Sequence, residues 1–225
     1  MHYLALATDY DGTLAEDGKV RAEVLDALKR LRRSGRKLVL VTGRELEDLM
    51  VVFPELDVFD WVVAENGALL YAPRPPVERV LAPPPPLEFA AALRARGVTP
   101  LACGRVIVAT WQPHEQTVLT VIREQGLEME VIFNKGAVMI LPTGINKATG
   151  LAAALGELGI TSDHVVGVGD AENDHSLLGA CGLGVAVSNA VPALKKRAEL
   201  VTRGARGQGV VELCELLMEE VDGRS

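Results

Sequence analysis

The sequence predicts a doubly wound, mostly parallel α/β protein carrying a small α+β insert, and three observations lead there. Short, near-continuous apolar runs that end on polar or glycine residues alternate with amphipathic helical patterns, as expected of buried parallel strands covered by helices on both faces. Two Pro/Gly-rich segments, "APPPPLEF" at 82–89 and "LPTGINK" at 141–147, break that rhythm. Between them the pattern reads helix, two strands, helix, two strands.

The elements follow in order. "YLALATD" (3–9) opens as a strand. "RAEVLDALKRLRRSG" (21–35) sets Val24, Leu25, Leu28 and Leu31 on one helical face and stops at Gly35. "KLVLVTG" (37–43) and "DWVVAENG" (60–67) are the next two strands. The insert brings a helix near 87–97, strands "PLACG" and "RVIVATW", a helix near 113–125, and strands "EMEVIF" and "AVMILP". After it come the helix "NKATGLAAALGELGI", the strands "HVVGVGD" and "LGVAVSN", a helix over "NAVPALKKRAEL" and a closing helix, "GVVELCELLMEEV". "GARGQG" (204–209) reads as a loop, because no strand immediately precedes it. The expected division is a core of residues 1–83 and 142–225, with residues 84–141 as an insert that moves over the main sheet as a lid.

Composition narrows the function. The chain has 225 residues, 48% of them hydrophobic, and a net charge of −7. That balance suits a globular chain with a sizeable core and argues against nucleic acid as a partner, which would require clustered Lys and Arg. Three widely spaced cysteines, Cys103, Cys181 and Cys214, form neither a disulfide framework nor a zinc site. No run approaches a membrane span, and no basic segment followed by a long apolar stretch opens the chain. The expectation is a cytoplasmic protein that does not engage membranes and is a monomer or homodimer.

In an open parallel sheet, ligands bind beyond the carboxyl ends of the strands. The polar residues there are Asp9 and Asp11, Thr42, Gly43 and Arg44, Asn66, and Gly169 with Asp170; Lys147 opens a helix just after the insert. Two carboxylates at ~4 Å repel by roughly 4 kcal/mol at an effective dielectric of ~20, so Asp9 and Asp11 call for a cation. Three acids, a hydroxyl beside a glycine and one lysine suit phosphoryl transfer through an aspartyl phosphate, since a carboxylate approaches a phosphate dianion only when cations neutralise the site. Magnesium fits, with Asp9, Asp11 and Asp170 as oxygen ligands. Lys147 adds positive charge, and the Thr42 hydroxyl and Gly43 N–H can donate to phosphoryl oxygens. One carboxylate attacks phosphorus while the other moves protons to the leaving alcohol and from water. Arg44 either reaches substrate or pairs with a nearby acid.

Four segments, "DYDGTL", "VTGR", "GINKATG" and "GDAENDHSLL", resemble in order the four motifs of the haloacid dehalogenase superfamily. The insert is similar to a minimal type 2B cap, which points to the Cof-like, sugar-phosphatase and archaeal phosphoglycolate-phosphatase branch; "VVAENGALLY" and "GVAVSNAVPALKKRAELVT" resemble that branch too. The resemblance implies that Asp9 is the nucleophile and Asp11 the acid/base, its backbone carbonyl on the metal. It also implies that Thr42 and Lys147 hold phosphate, that Asp170 ligates magnesium, and that Asn173 and Asp174 complete the site, Asp174 on the metal directly or through water. The sequence departs from that pattern at Met139, where many such relatives have Glu or His. The activity expected is a magnesium-dependent phosphatase acting on a small phosphorylated metabolite. A sugar phosphomutase and a non-catalytic sensor of such a metabolite are the alternatives.

Strand alternation divides the insert's sheet. Val106, Val108, Met129, Val131, Phe133, Val138 and Ile140 should lie against its helices. Arg105, Ile107, Ala109, Trp111, Glu128, Glu130, Ala137 and Met139 should face the phosphate site, with Arg105 as the cation that reads substrate or, equally, as half of a surface pair with Glu130.

Overall fold

The computed structural model describes residues 3–222. In chain order its strands and helices are β1 (Ala5–Thr8), α1 (Ala22–Arg33), β2 (Lys37–Val41), α2 (Leu46–Val52), β3 (Trp61–Ala64), β4 (Leu69–Pro73), β5 (Pro76–Val80), α3 (Leu87–Ala95), β6 (Ala102–Cys103), β7 (Val108–Trp111), α4 (Glu115–Gln125), β8 (Met129–Asn134), β9 (Ala137–Pro142), α5 (Lys147–Leu158), β10 (Val165–Gly169), α6 (His175–Ala180), β11 (Leu183–Ala186), α7 (Pro192–Lys195), β12 (Leu200–Val201) and α8 (Gly207–Asp222).

The large sheet has the order β12-β11-β10-β1-β2-β3-β4-β5. Its first six strands run parallel, and β4 and β5 add an antiparallel edge. Alternate side chains of one strand serve opposite faces. Leu6, Leu38 and Leu40 pack with Val24, Leu28 and Leu31 of α1 and with Leu213 and Leu217 of α8. Ala5, Ala7, Val39 and Val41 point the other way, onto Leu151, Leu155 and Leu177 of α5 and α6. The result is a three-layer, doubly wound α/β protein. β1 lies between β10 and β2, so the chain order switches direction at its carboxyl end.

The smaller sheet is antiparallel in the order β6-β7-β9-β8. Phe89 and Leu93 of α3 and Val118, Val121 and Ile122 of α4 cover one face, on Val108, Val138 and Ile140. The opposite face meets the main body through Val106, Ile107, Met139 and Leu141 around Ala68. Two members of the face expected to meet the helices depart from that reading: Val106 joins the contact with the main body, and Phe133, though paired with Val138 on the expected face, is 43% exposed. The cause at Val106 is a bend at residues 104–107, which ends the alternation before β7 begins. The helix expected over 189–200 is a single turn, α7, and the chain then enters β12.

Candidate active site

β1 delivers Asp9 to the switch point, its N–H bonded to the Val168 carbonyl of β10. β10 ends beside it at Gly169, Asp170 follows, and a short turn brings Asn173 and Asp174 back to the same spot. One carboxylate oxygen from each of Asp9, Asp170 and Asp174 lies within 4.8 Å of the others, and all three residues are buried. Lys147, the first residue of α5, supplies the offsetting charge. Its Nζ donates to Asp9 Oδ1 at 2.5 Å and to Asp174 Oδ1 at 2.6 Å, with the lysine side chain 1% exposed. A capping box between Asn146 and Thr149 fixes the start of that helix.

The charges shape one another. Burial, then the charge of Asp174, pushes the Asp9 carboxyl up to about 7 against the pull of Lys147. Burial opposes the Lys147 charge, but Asp174 and Asp9 outweigh it and hold the lysine above its ordinary value. Burial also raises Asp170, against the opposing effect of Lys135. Asp174 acts as an organiser as well: its Oδ2 accepts the N–H groups of Asp170 and Ala171 at 2.8 and 2.9 Å. Gly12 closes over this group with φ +84°, and a Cβ there would lie 2.3 Å from Asp170 Oδ2.

Asp11 is not part of this carboxylate group. The turn after Asp9 aims its side chain, 44% exposed, at Arg44, whose Nε and Nη2 donate to the two Asp11 oxygens at 2.7 and 2.8 Å. The cation that answers the Asp9–Asp11 pair is thus two cations, Lys147 for one and Arg44 for the other. Arg44 also bonds Asp48 and lies over the Tyr10 ring at 5.5 Å, so of its two expected roles the structure displays pairing with acids. Thr42 is buried and its Oγ1 accepts the Arg44 N–H at 3.1 Å; Gly43 follows at the mouth of a cleft of about 400 Å³. Asn173 Nδ2 donates to Asn66 Oδ1 at 3.0 Å, which joins the β3 end to the acidic turn.

Arg105 does not join these residues, nor does it pair with Glu130. Its guanidinium bonds Glu78 and Glu47 at the edge of the main body.

Three contributors escaped the sequence reading. Lys135, with φ +49°, and Gly136 form the two-residue turn between β8 and β9, and the lysine Nζ reaches Asp170 Oδ2 at 2.5 Å. A cation at a two-residue hairpin tip was the available signal. Asn189 Nδ2 donates to Gly12 O and Asp170 Oδ2. Glu65, fully buried after β3, accepts the N–H groups of Arg105, Val106 and Ile107 at 2.7, 2.7 and 2.9 Å. A carboxylate that caps a bend 40 residues away leaves no local trace.

A sequence model of haloacid dehalogenase-like hydrolases matches residues 6–80 and 112–213. The chain belongs to that family. Among curated relatives it is 32% identical to a phosphoglycolate phosphatase of Methanothermobacter thermautotrophicus, over 95% of this chain and 98% of that one. It is 30% identical to a phosphoglycolate phosphatase of Methanopyrus kandleri, over 96% and 97%. Among solved structures, a Thermoplasma acidophilum protein superposes with a TM-score of 0.83 at 13% identity, over 97% of this chain and 99% of that one. A subclass IIB sugar phosphatase superposes at 0.72 and 20% identity, over 88% and 92%. The capped family fold is therefore shared, and the buried oxygen donors of Asp9, Asp170 and Asp174 fit the divalent metal that the family's chemistry uses. No described helix is long and apolar enough to cross a membrane.

Proposed function

We propose that the protein is a magnesium-dependent phosphatase that hydrolyses a small phosphomonoester through a phosphoaspartate on Asp9. The observation that carries this reading is the buried Lys147 ammonium between Asp9 and Asp174, at the switch point of the sheet. A carboxylate held there against a buried cation, beside two more acids, is poised to attack a dianion once the site is neutral. The relatedness to phosphoglycolate phosphatases supports the same class of reaction.

Asp9, Asp170, the Asp11 carbonyl and, directly or through water, Asp174 would hold the magnesium ion. When bound it neutralises the carboxylates and the phosphoryl oxygens. An Asp9 oxygen attacks phosphorus, the ester P–O bond breaks, and the departing alkoxide takes a proton from Asp11, whose carboxyl must first turn from its two-point contact with Arg44 toward the substrate. Asp11 then accepts a proton from water as the water attacks the phosphoaspartate, releasing phosphate and the Asp9 carboxylate. Thr42, the Gly43 N–H and Lys147 hold the phosphoryl oxygens, Arg44 orients Asp11, and residues 84–141 act as the cap.

Asp9→Asn should abolish phosphate release from p-nitrophenyl phosphate while the variant keeps the wild-type circular-dichroism spectrum, because the near-isosteric amide cannot attack phosphorus. Asp11→Asn should accumulate a phosphate adduct, seen by intact mass after acid quench. Substantial turnover by folded Asp9→Asn, or no adduct at any quench time, removes the covalent route.

A further inference from the structure

We infer that the leaving group this site accepts is uncharged and presents an apolar face, an aryl or alkyl alcohol rather than a hydroxy acid. The inference rests on the phosphatase reading above and adds the chemistry of the alcohol. We place that alcohol in the cleft at Gly43, which directly follows Thr42 and is flanked by Asn173 of the acidic turn. Its cap wall is mostly apolar, with Ile107, Ala109, Ala137 and Met139 and a half-exposed Trp111 at the rim; the one polar side chain there, Thr110, donates its hydroxyl to the Pro100 carbonyl. Met139 comes so close that a Cβ on residue 43 would lie 2.7 Å from its Cε.

The core wall carries charge of one uncompensated sign. Arg44 lines the cleft, but its guanidinium is already bonded to two carboxylates, Asp11 and Asp48. Glu45 lines it as well, and among the described residues no hydrogen bond or ion pair holds its carboxylate. Burial, then Glu65, Asp48 and Glu47, raises the Glu45 pKa against the smaller opposing effect of Arg105. Lys135 is not among the cleft's walls; its ammonium is on Asp170. A carboxylate on the leaving group would therefore meet chiefly methyl, thioether and indole groups on one side and like charge on the other. An aryl or alkyl group would instead cover Trp111 and Met139 and remove apolar surface from water.

The test measures kcat/KM of the full chain with magnesium for benzyl phosphate, 4-carboxybenzyl phosphate and phosphoglycolate. It adds calorimetric binding of benzylphosphonate and phosphonoacetate to Asp9→Asn, which needs no turnover. Benzyl phosphate should exceed both carboxylated substrates by about tenfold or more, and benzylphosphonate should bind more tightly than phosphonoacetate by a similar factor. Glu45→Gln should narrow the gap between benzyl and 4-carboxybenzyl phosphate by about threefold, and Trp111→Ala should raise KM for benzyl phosphate. Equal or better turnover of phosphoglycolate overturns the inference while leaving the phosphatase standing; its loss in Lys135→Ala would assign carboxylate reading to that lysine. Failure to release phosphate from any of the three and from p-nitrophenyl phosphate overturns the phosphatase reading, whatever the binding ratio.

Discussion

A lysine at the first position of a helix faces the positive end of the helix dipole, and Lys147 holds that position with its ammonium out of water. Local physics disfavours the placement, and the buried carboxylates of Asp9 and Asp174 reverse the balance. Lys147→Ala should lower metal-free stability by about 3–5 kcal/mol, because it strands buried acids without a partner. Chemical denaturation checks this, and magnesium should return part of the loss. Asp9 gives the complementary pH dependence. Its carboxyl ordinarily titrates near 3.8 and is held up to about 7 in the metal-free fold. Between those values the folded chain keeps a proton that the unfolded chain has released, so stability is greatest below the lower value and falls as pH rises to the upper one. Thermal melts in chelator should show this decline in wild type and a shallower one in Asp9→Asn; parallel profiles would mean that Asp9 is not the titrating group. Asp9, Lys147 and Asp170, which the structure brings together, were legible in the sequence because their side-chain chemistry sits at strand ends or a helix start, whereas Asp174, on the turn beyond β10, entered only through the family resemblance. Lys135, Asn189 and Glu65 were not, since each acquires its meaning from a partner distant in the chain.

Among the elements, the bend at 104–107 shows where periodic reasoning stops. Alternation assigns faces only along an unbroken strand, and here three successive N–H groups turn to one Glu65 carboxylate instead of a neighbouring strand. Arg105 and Val106 were misassigned for that reason. Each buried N–H left without an acceptor costs about 1–3 kcal/mol, so Glu65→Ala should destabilise by roughly 3 kcal/mol or more and loosen the cap first. Hydrogen exchange should rise at residues 105–107 before it rises in β1; unchanged protection there would show that other contacts hold the bend. The hairpin of β4 and β5 was equally hidden. Pro73, Pro75 and Pro76 weaken a strand signal, and they are tolerated because they end β4, sit in the turn and open β5, the exposed edge of the sheet. The parallel strands were plain to read, because burial on both faces demands near-continuous apolar sequence.

Across the molecule, the main sheet brings residues from both ends of the chain to one point, and metal should tie those pieces together. Asp9 lies near the start of the chain, while Asp170 and Asp174 follow the cap. Magnesium at 100 times its dissociation constant should stabilise the fold by about 2.7 kcal/mol. Melting in magnesium against chelator measures it, and coincident curves would count against a metal centre formed by this cluster. The close approach at Gly67 bears on how such a molecule tolerates change. A Cβ there would lie 1.9 Å from the Asn146 carbonyl oxygen, so the backbone just ahead of Lys147 is pressed directly onto the turn after β3. Between that brace and the end of β9 lie only residues 143–145, with Gly144 at φ +85°. Those three residues are the whole link on that side, so the lysine's place is set by the core contact at Gly67 and not by the strand that precedes it. On the proposed reading, substitutions on the cap's cleft wall should change which alcohol is accepted while leaving the backbone that positions Lys147 where it is.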